Sequence, residues 1–200
     1  AHFLDLLRSR GAVLHGGDTV AGIDLLDRGH AGHPHVLTGG RQVAHHEIGK
    51  HVLPEVQDQN VNVRPIVKAD AIKMICVFRS HLQTPFLLSI LPHIIRHLHS
   101  KHVVIQTYAA MCIERFLTVK DRDRATNTVT MRITKESLAP HYLTLFSGLF
   151  AVLENKDLPE NDYVMKCIMR TLVVIGADIG PVTELVLSHL TTALERVCKN

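Results

Sequence analysis

From Val52 onward, apolar residues return at helical spacing in six stretches separated by short polar, glycine-bearing or proline-bearing breaks. The pattern predicts helices at 63–79, 85–99, 102–119, 138–153, 162–176 and 181–198. Pro65, Pro85 and Pro181 suit first helical turns, where the missing N–H has no bond to lose. Asn161 or Asp162 is placed to cap the helix that follows, and Gly176 and Gly180 bracket its end. Ser100 and Lys101 leave room only for a tight turn, so the helices on either side are antiparallel neighbours. The polar stretch KDRDRATNTVTMRITKES, Lys120 to Ser137, reads as a mobile insertion.

Two kinds of helix alternate. The stretches at 63–79, 102–119 and 162–176 carry apolar residues around most of their circumference, as in VVIQTYAAMCIERFL from Val103 to Leu117. A helix of that kind is expected to be buried from several directions. Their partners at 85–99 and 138–153 are apolar on one side. The alternation predicts an all-α fold, an α-solenoid of antiparallel helix pairs in which the inner helix of each pair also touches the pairs before and after. Placing Ile66 on Ile105 and Ala71 on Ala110 gives an offset of 39 residues, near the roughly 40–47 of HEAT or armadillo units. The third inner helix follows 59 or 60 residues later, the excess being the insertion. Pairs are therefore expected at 85–119 and 138–176, with a half-pair on each side.

Composition changes this picture at one end. Nine of the twelve glycines and seven of the fifteen histidines lie in residues 1–50, where no periodic apolar face is apparent. The expected division is an atypical Gly- and His-rich segment at 1–50 and HEAT repeats at 51–200. The abrupt change suggests an unusual splice product, an unspliced intron or a misread frame upstream of His51. The chain starts at Ala1 and stops at Asn200, and is expected to be a piece of a longer array.

Over the whole chain, 46% hydrophobic residues, 20% charged and 4% aromatic favour helical layers over a β-sandwich. A net charge of +3 is spread without a basic block, so no nucleic-acid partner is expected. No uninterrupted apolar run approaches about 20 residues and no signal sequence opens the chain, so membrane insertion is not expected. Cys76, Cys112, Cys167 and Cys198 stand far apart, without zinc-ligand spacing, and are expected to be buried reduced thiols of an intracellular protein.

Other candidate chemistry is thin. His30, His33 and His35 with His45, His46 and Glu47 have metal-ligand side chains but no scaffold to hold them, so no metal or other cofactor is expected. Gly11 to Asp18 lacks the Lys and Ser or Thr of a phosphate loop, and Ser147 lacks the glycine of a nucleophile elbow. Without a convergent nucleophile, base and orienting acid, no enzymatic activity is expected.

HVLPEVQDQNVNVRPIVKADAIKMICVFRSHL from His51 to Leu82, IRHLHSKHVVIQTYAAMCIERFLTV from Ile95 to Val119, and NDYVMKCIMRTL from Asn161 to Leu172 resemble the karyopherins of the importin-β superfamily, in the branch that exports importin-α. The resemblance covers roughly residues 51–200, in one order and with similar spacings, while residues 1–50 depart from it. It implies a curved array of HEAT repeats that wraps importin-α together with Ran-GTP, meets nucleoporins, and shuttles between nucleus and cytoplasm through the pore. A HEAT scaffold or adaptor with no transport role is the alternative. The resemblance also implies that the second helix of each pair faces bound partners, which makes Lys68, Lys73, Gln106, Arg115, Lys166 and Arg170 the candidate partner-binding residues. Lys166 and Arg170, one turn apart, lead that group. Lys120, Arg122, Arg124, Arg132 and Lys135 form a further basic cluster in the insertion.

Overall fold

The computed structural model describes residues 48–123, 125–155 and 161–198. A π-helical turn, Ile48–Val52, leads into α1 (Leu53–Gln57), followed by α2 (Pro65–Phe78), α3 (Thr84–Arg96) and α4 (Val103–Phe116). A hairpin of β1 (Lys120–Arg122) and β2 (Val129–Met131) precedes α5 (Lys135–Leu138), α6 (Tyr142–Leu153), α7 (Asp162–Ile175) and α8 (Thr183–Cys198).

The helices form two rows. The inner row runs α2, α4, α7, each 14 residues long and each packed on the next. The outer row is α1, α3, α6 and α8, so the chain alternates between rows as an all-α solenoid requires. Pro65 and Val103 open successive inner helices 38 residues apart, and Asp162 opens the third 59 residues later, close to the spacings read from the sequence. The first inner helix is no half-pair, because Ile48–Gln57 covers it from the outer row.

Local signals account for the ends of these helices. Pro65 starts α2 directly after Arg64, whose backbone is left-handed at φ 48°. The Asn161 side chain accepts from the Tyr163 and Val164 N–H groups at the start of α7, leaving fewer orphan donors. Gly176, at φ 57°, ends α7 in a conformation that side chains resist. By length and composition Asp162–Thr192 could cross a membrane. The backbone divides there at the 3-10 segment Gly176–Val182, however, leaving helices of 14 and 16 residues, each short of the roughly 20 that a span needs.

Successive pairs are joined through the end of α1 and the loop after it, whose polar groups bond to the end of α3 and the turn after it. Arg96 donates to the Gln57 carbonyl at 2.9 Å and the Asp58 carbonyl at 3.1 Å, and His97 Nε2 lies 2.9 Å from the Val56 carbonyl. Ser100, buried in the predicted tight turn, donates to the Val61 carbonyl, and Lys101 N–H donates to Asn62 Oδ1 at 2.8 Å. One layer further along, a Cβ on Gly148 would stand 3.1 Å from Leu98. The absent side chain lets α6 close on the 3-10 turn His97–His99.

Only α4 behaves as the sequence pattern suggested for all three inner helices. Ile105, Ala109, Cys112, Ile113 and Phe116 are fully buried, because α2 and α7 flank α4 while α3 lies behind it. On α2, Ile66 is 74% exposed, and on α7 Val173 is 70% exposed. Those helices have one inner-row neighbour each within the described residues, so part of their apolar circumference meets solvent. Cys198 is likewise exposed, unlike the other three cysteines.

Among the described residues, the insertion contains a hairpin followed by the start of α5. Lys120 pairs with Met131 and Arg122 with Val129, and Arg132 ties its base to the body by donating to the Leu82 carbonyl at 2.7 Å. A short ladder and the Arg132 bond give this stretch a secondary structure that its polarity does not suggest.

Candidate interaction surface

The face of the inner row turned away from the outer helices carries one strip of polar and apolar side chains across α2, α4 and α7. Lys73 on α2 places Nζ 5.9 Å from the Tyr108 ring centroid on α4, a cation–π contact that bridges the two helices. Glu114 on α4 accepts from Arg170 on α7 at 3.4 Å and also pairs with Arg115. The Asn161 side-chain amide, besides capping α7, donates to Thr107 Oγ1 on α4 at 2.7 Å. Lys166 stands over Tyr163, three residues before it on α7, at 5.4 Å. Val104, Met169 and Val173 leave apolar surface between these groups.

Four of the six residues singled out in the sequence, Lys73, Arg115, Lys166 and Arg170, lie on this strip. Lys68 and Gln106 do not. Lys68 is fully buried, with Nζ donating to the Asp58 carboxylate at 2.8 Å and to the Glu55 carbonyl at 3.2 Å. The ammonium holds the Asp58 carboxyl below its ordinary range, chiefly through that hydrogen bond. Gln106 is buried against the α3–α4 turn and donates to the Ser100 carbonyl at 2.6 Å. Both bond within their own helix pair, Lys68 to α1 and the loop after it and Gln106 to the turn before α4, rather than reaching away from the outer row. Tyr108, Glu114 and Tyr163 were missed as members. The spacing of Tyr163 and Lys166 was the one local signal, since the Lys73–Tyr108 and Glu114–Arg170 contacts join different helices.

Lys68→Ala is expected to lower stability by about 3 kcal/mol, through buried methylenes worth about 0.8 kcal/mol each and the lost donor. Lys68→Met keeps the apolar stem and is expected to lose about 1 kcal/mol. Urea unfolding of the two variants separates these contributions. Equal losses would assign the stabilisation to the ammonium alone.

The basic cluster of the insertion is largely occupied within the fold. Arg122 donates to Asn127, Arg132 pairs with Asp121 at 2.6 Å and Lys135 with Asp178 at 2.6 Å, while Arg124 lies outside the described residues. The histidines from His30 to His46, with Glu47, also lie outside them. Among the described residues no three His, Cys, Asp or Glu side chains converge as metal ligands.

Two consecutive family models match this chain: one described as Cse1 over residues 44–113, and one described as CAS/CSE protein, C-terminus, over residues 114–200. Exportin-2 of Drosophila melanogaster is 40% identical over 149 residues, which is 74% of this chain and 15% of that relative. Exportin-2 of Xenopus laevis is 38% identical and that of Homo sapiens 36%, each over 150 residues, or 75% of this chain and 15% of the relative. The chain thus spans about 15% of the length of the curated relatives it matches. Two abutting matches, 40% identity to a curated relative over 74% of the chain, and a two-row helical array agree with one another: over residues 44–200 the chain belongs to the CAS/CSE family.

Proposed function

We propose that this chain is a segment of a nuclear export receptor that binds importin-α together with Ran-GTP and returns it from the nucleus to the cytoplasm. The 40% identity to an Exportin-2 over 74% of the chain carries the reading. The strip on the inner row supports it, because a binding module needs a rigid surface of mixed character more than convergent catalytic groups. Lys73, Arg115, Lys166 and Arg170 contribute to the contact with cargo or GTPase, with Tyr108 and Tyr163 beneath two of the cations. Meeting nucleoporins, the receptor shuttles through the pore, and affinity for cargo is coupled reciprocally to Ran-GTP.

Three inner helices supply only part of such an interface, so the 200-residue chain alone is expected not to form a tight ternary complex. Nanomolar, GTP-dependent binding of importin-α to it would contradict that expectation. The direct test replaces the matching segment of a full-length Exportin-2 with residues 48–198 of this chain. The chimera is expected to retain Ran-GTP-dependent binding of importin-α, and Lys166→Glu with Arg170→Glu to weaken it at least tenfold, about 1.4 kcal/mol. Binding indifferent to Ran-GTP would favour a scaffold role, and binding unchanged by the two reversals would remove the strip from the interface.

A further inference from the structure

Glu114, in the last turn of α4, holds two arginines at once. Arg115 Nε lies 3.4 Å from its Oε2, and Arg170 Nε, reaching over from α7, lies 3.4 Å from its Oε1. The carboxylate is the deeper partner: its side chain is 17% exposed, against 33% for Arg115 and 45% for Arg170. Both arginines are engaged through Nε, and among the described residues no Nη atom of either takes a bond. A guanidinium held in this way still offers its outer N–H groups as a planar fork.

The local charge favours an acidic visitor. One carboxylate cannot neutralise two guanidiniums, and Lys166, exposed one turn before Arg170, adds a third cation with no ion-pair partner among the described residues. Asp162, the other acid on α7, opens that helix, roughly 12 Å along the axis from Arg170. On α2, exposed Asp70 is matched by exposed Lys73. A positive surplus therefore remains around Glu114. The restraint that Glu114 places on both arginines leaves a ligand less side-chain freedom to remove. Apolar surface adjoins the site, because exposed Val173 stands one turn beyond Arg170.

We propose that Arg115 and Arg170, positioned by Glu114, receive neighbouring carboxylates of an acidic protein segment, with an apolar side chain of the same segment resting on Val173. Each guanidinium takes one carboxylate in two parallel bonds, and Lys166 contributes as a point charge. The inference deepens the export-receptor reading and rests on it for which protein brings the segment: the partner's surface opposite α4 and α7 is acidic. Because the contact is mainly one of half-exposed charges, it weakens as salt is raised.

A fluorescein-labelled oligoglutamate peptide ending in leucine, titrated at low ionic strength with the folded 200-residue chain and followed by anisotropy, tests this. Saturable binding is expected, and none with a glutamine peptide of the same length. Arg115→Gln and Arg170→Gln are expected to weaken it about threefold each and about tenfold together. Arg122→Gln, the same loss of charge on the hairpin, leaves it unchanged. On the unaltered chain the peptide is expected to protect Arg115 and Arg170, and not Arg122, from phenylglyoxal, which decides the matter should a variant fail to fold. Absence of binding, equal losses in Arg122→Gln and Arg170→Gln, or equal protection of all three arginines overturns the proposal. Displacement of the peptide by inorganic phosphate at an equal concentration of anion overturns it as well, by making the site one for any oxyanion. Neither transport partner is present in this assay, so each of these failures leaves the export reading standing. A chimera that fails to bind importin-α, beside a chain that binds the peptide, would instead remove that reading and keep the site.

Discussion

Phe116→Ala is expected to destabilise the chain by about 3–5 kcal/mol, a large part of the roughly 5–15 kcal/mol that holds an ordinary domain together. Phe116 is fully buried near the end of α4, the inner helix flanked on both sides and covered from behind. Truncation removes the ring's burial and leaves a cavity that three packed elements cannot collapse without moving one another. Ile66→Ala, at a position 74% exposed on α2, is expected to stay within about 0.5 kcal/mol of the unaltered protein. Urea unfolding of both variants checks the contrast, with slopes unchanged if only the native state is affected. Similar losses at the two positions would mean that α4 is no more central to stability than the exposed face of α2.

Acid is expected to remove about 3 kcal/mol of stability between pH 6.5 and pH 4 through His97. The imidazole is fully buried in the 3-10 turn His97–His99, with Nε2 bonded to the Val56 carbonyl and Nδ1 without a hydrogen-bond partner among the described residues. Burial pushes its pKa down to about 4, and Lys68, Arg96 and His93 repel a proton further, while the Val56 carbonyl opposes the shift. The unfolded chain takes up this proton near the ordinary value of about 6.5. Between those two values the unfolded state binds more protons, so stability is full above pH 6.5 and falls as pH drops toward 4. His93, lowered by its own burial, acts in the same direction. Asp58 adds a loss only at lower pH, since its carboxyl is held below the ordinary range in the folded chain. Unfolding free energies at pH 7 and pH 4.5 test the slope, and His97→Gln should flatten most of it. A slope unchanged in His97→Gln would assign the acid sensitivity to other groups.

These two residues show where sequence reading stops. Phe116 and Ile66 are both large apolar residues on helices that read as apolar all round, and composition offers no means of ranking them. Their fates differ because, among the described residues, α4 has inner-row neighbours on both sides and α2 has one, which is a property of the stack. Lys68 and Lys73 stand five residues apart on one helix and have the same chemistry, yet one is buried beneath Asp58 and the other lies over Tyr108. A helix turns by about 100° per residue, so five residues carry a side chain from one side of α2 to another. Which side is wet depends on the position of α1, Leu53–Gln57, which lies before the first helix that the sequence pattern predicts.

Helix placement, the alternation of two rows, the spacing of the inner helices and the family were legible in the sequence, because each depends on short-range periodicity, capping residues or words that stay together along the chain. The hairpin at Lys120 to Met131 was not, since its order rests on cross-strand pairing and on Arg132 reaching the Leu82 carbonyl. Nor were the members of the interaction strip legible as a set. Lys73 with Tyr108, Glu114 with Arg170, and Asn161 with Thr107 meet across elements far apart in sequence. Local free energies select each helix, but the relative rotation and slide of helices come from packing summed over the whole stack. That sum is what decides which charges are buried, which apolar residues stay wet and which side chains meet across the inner row.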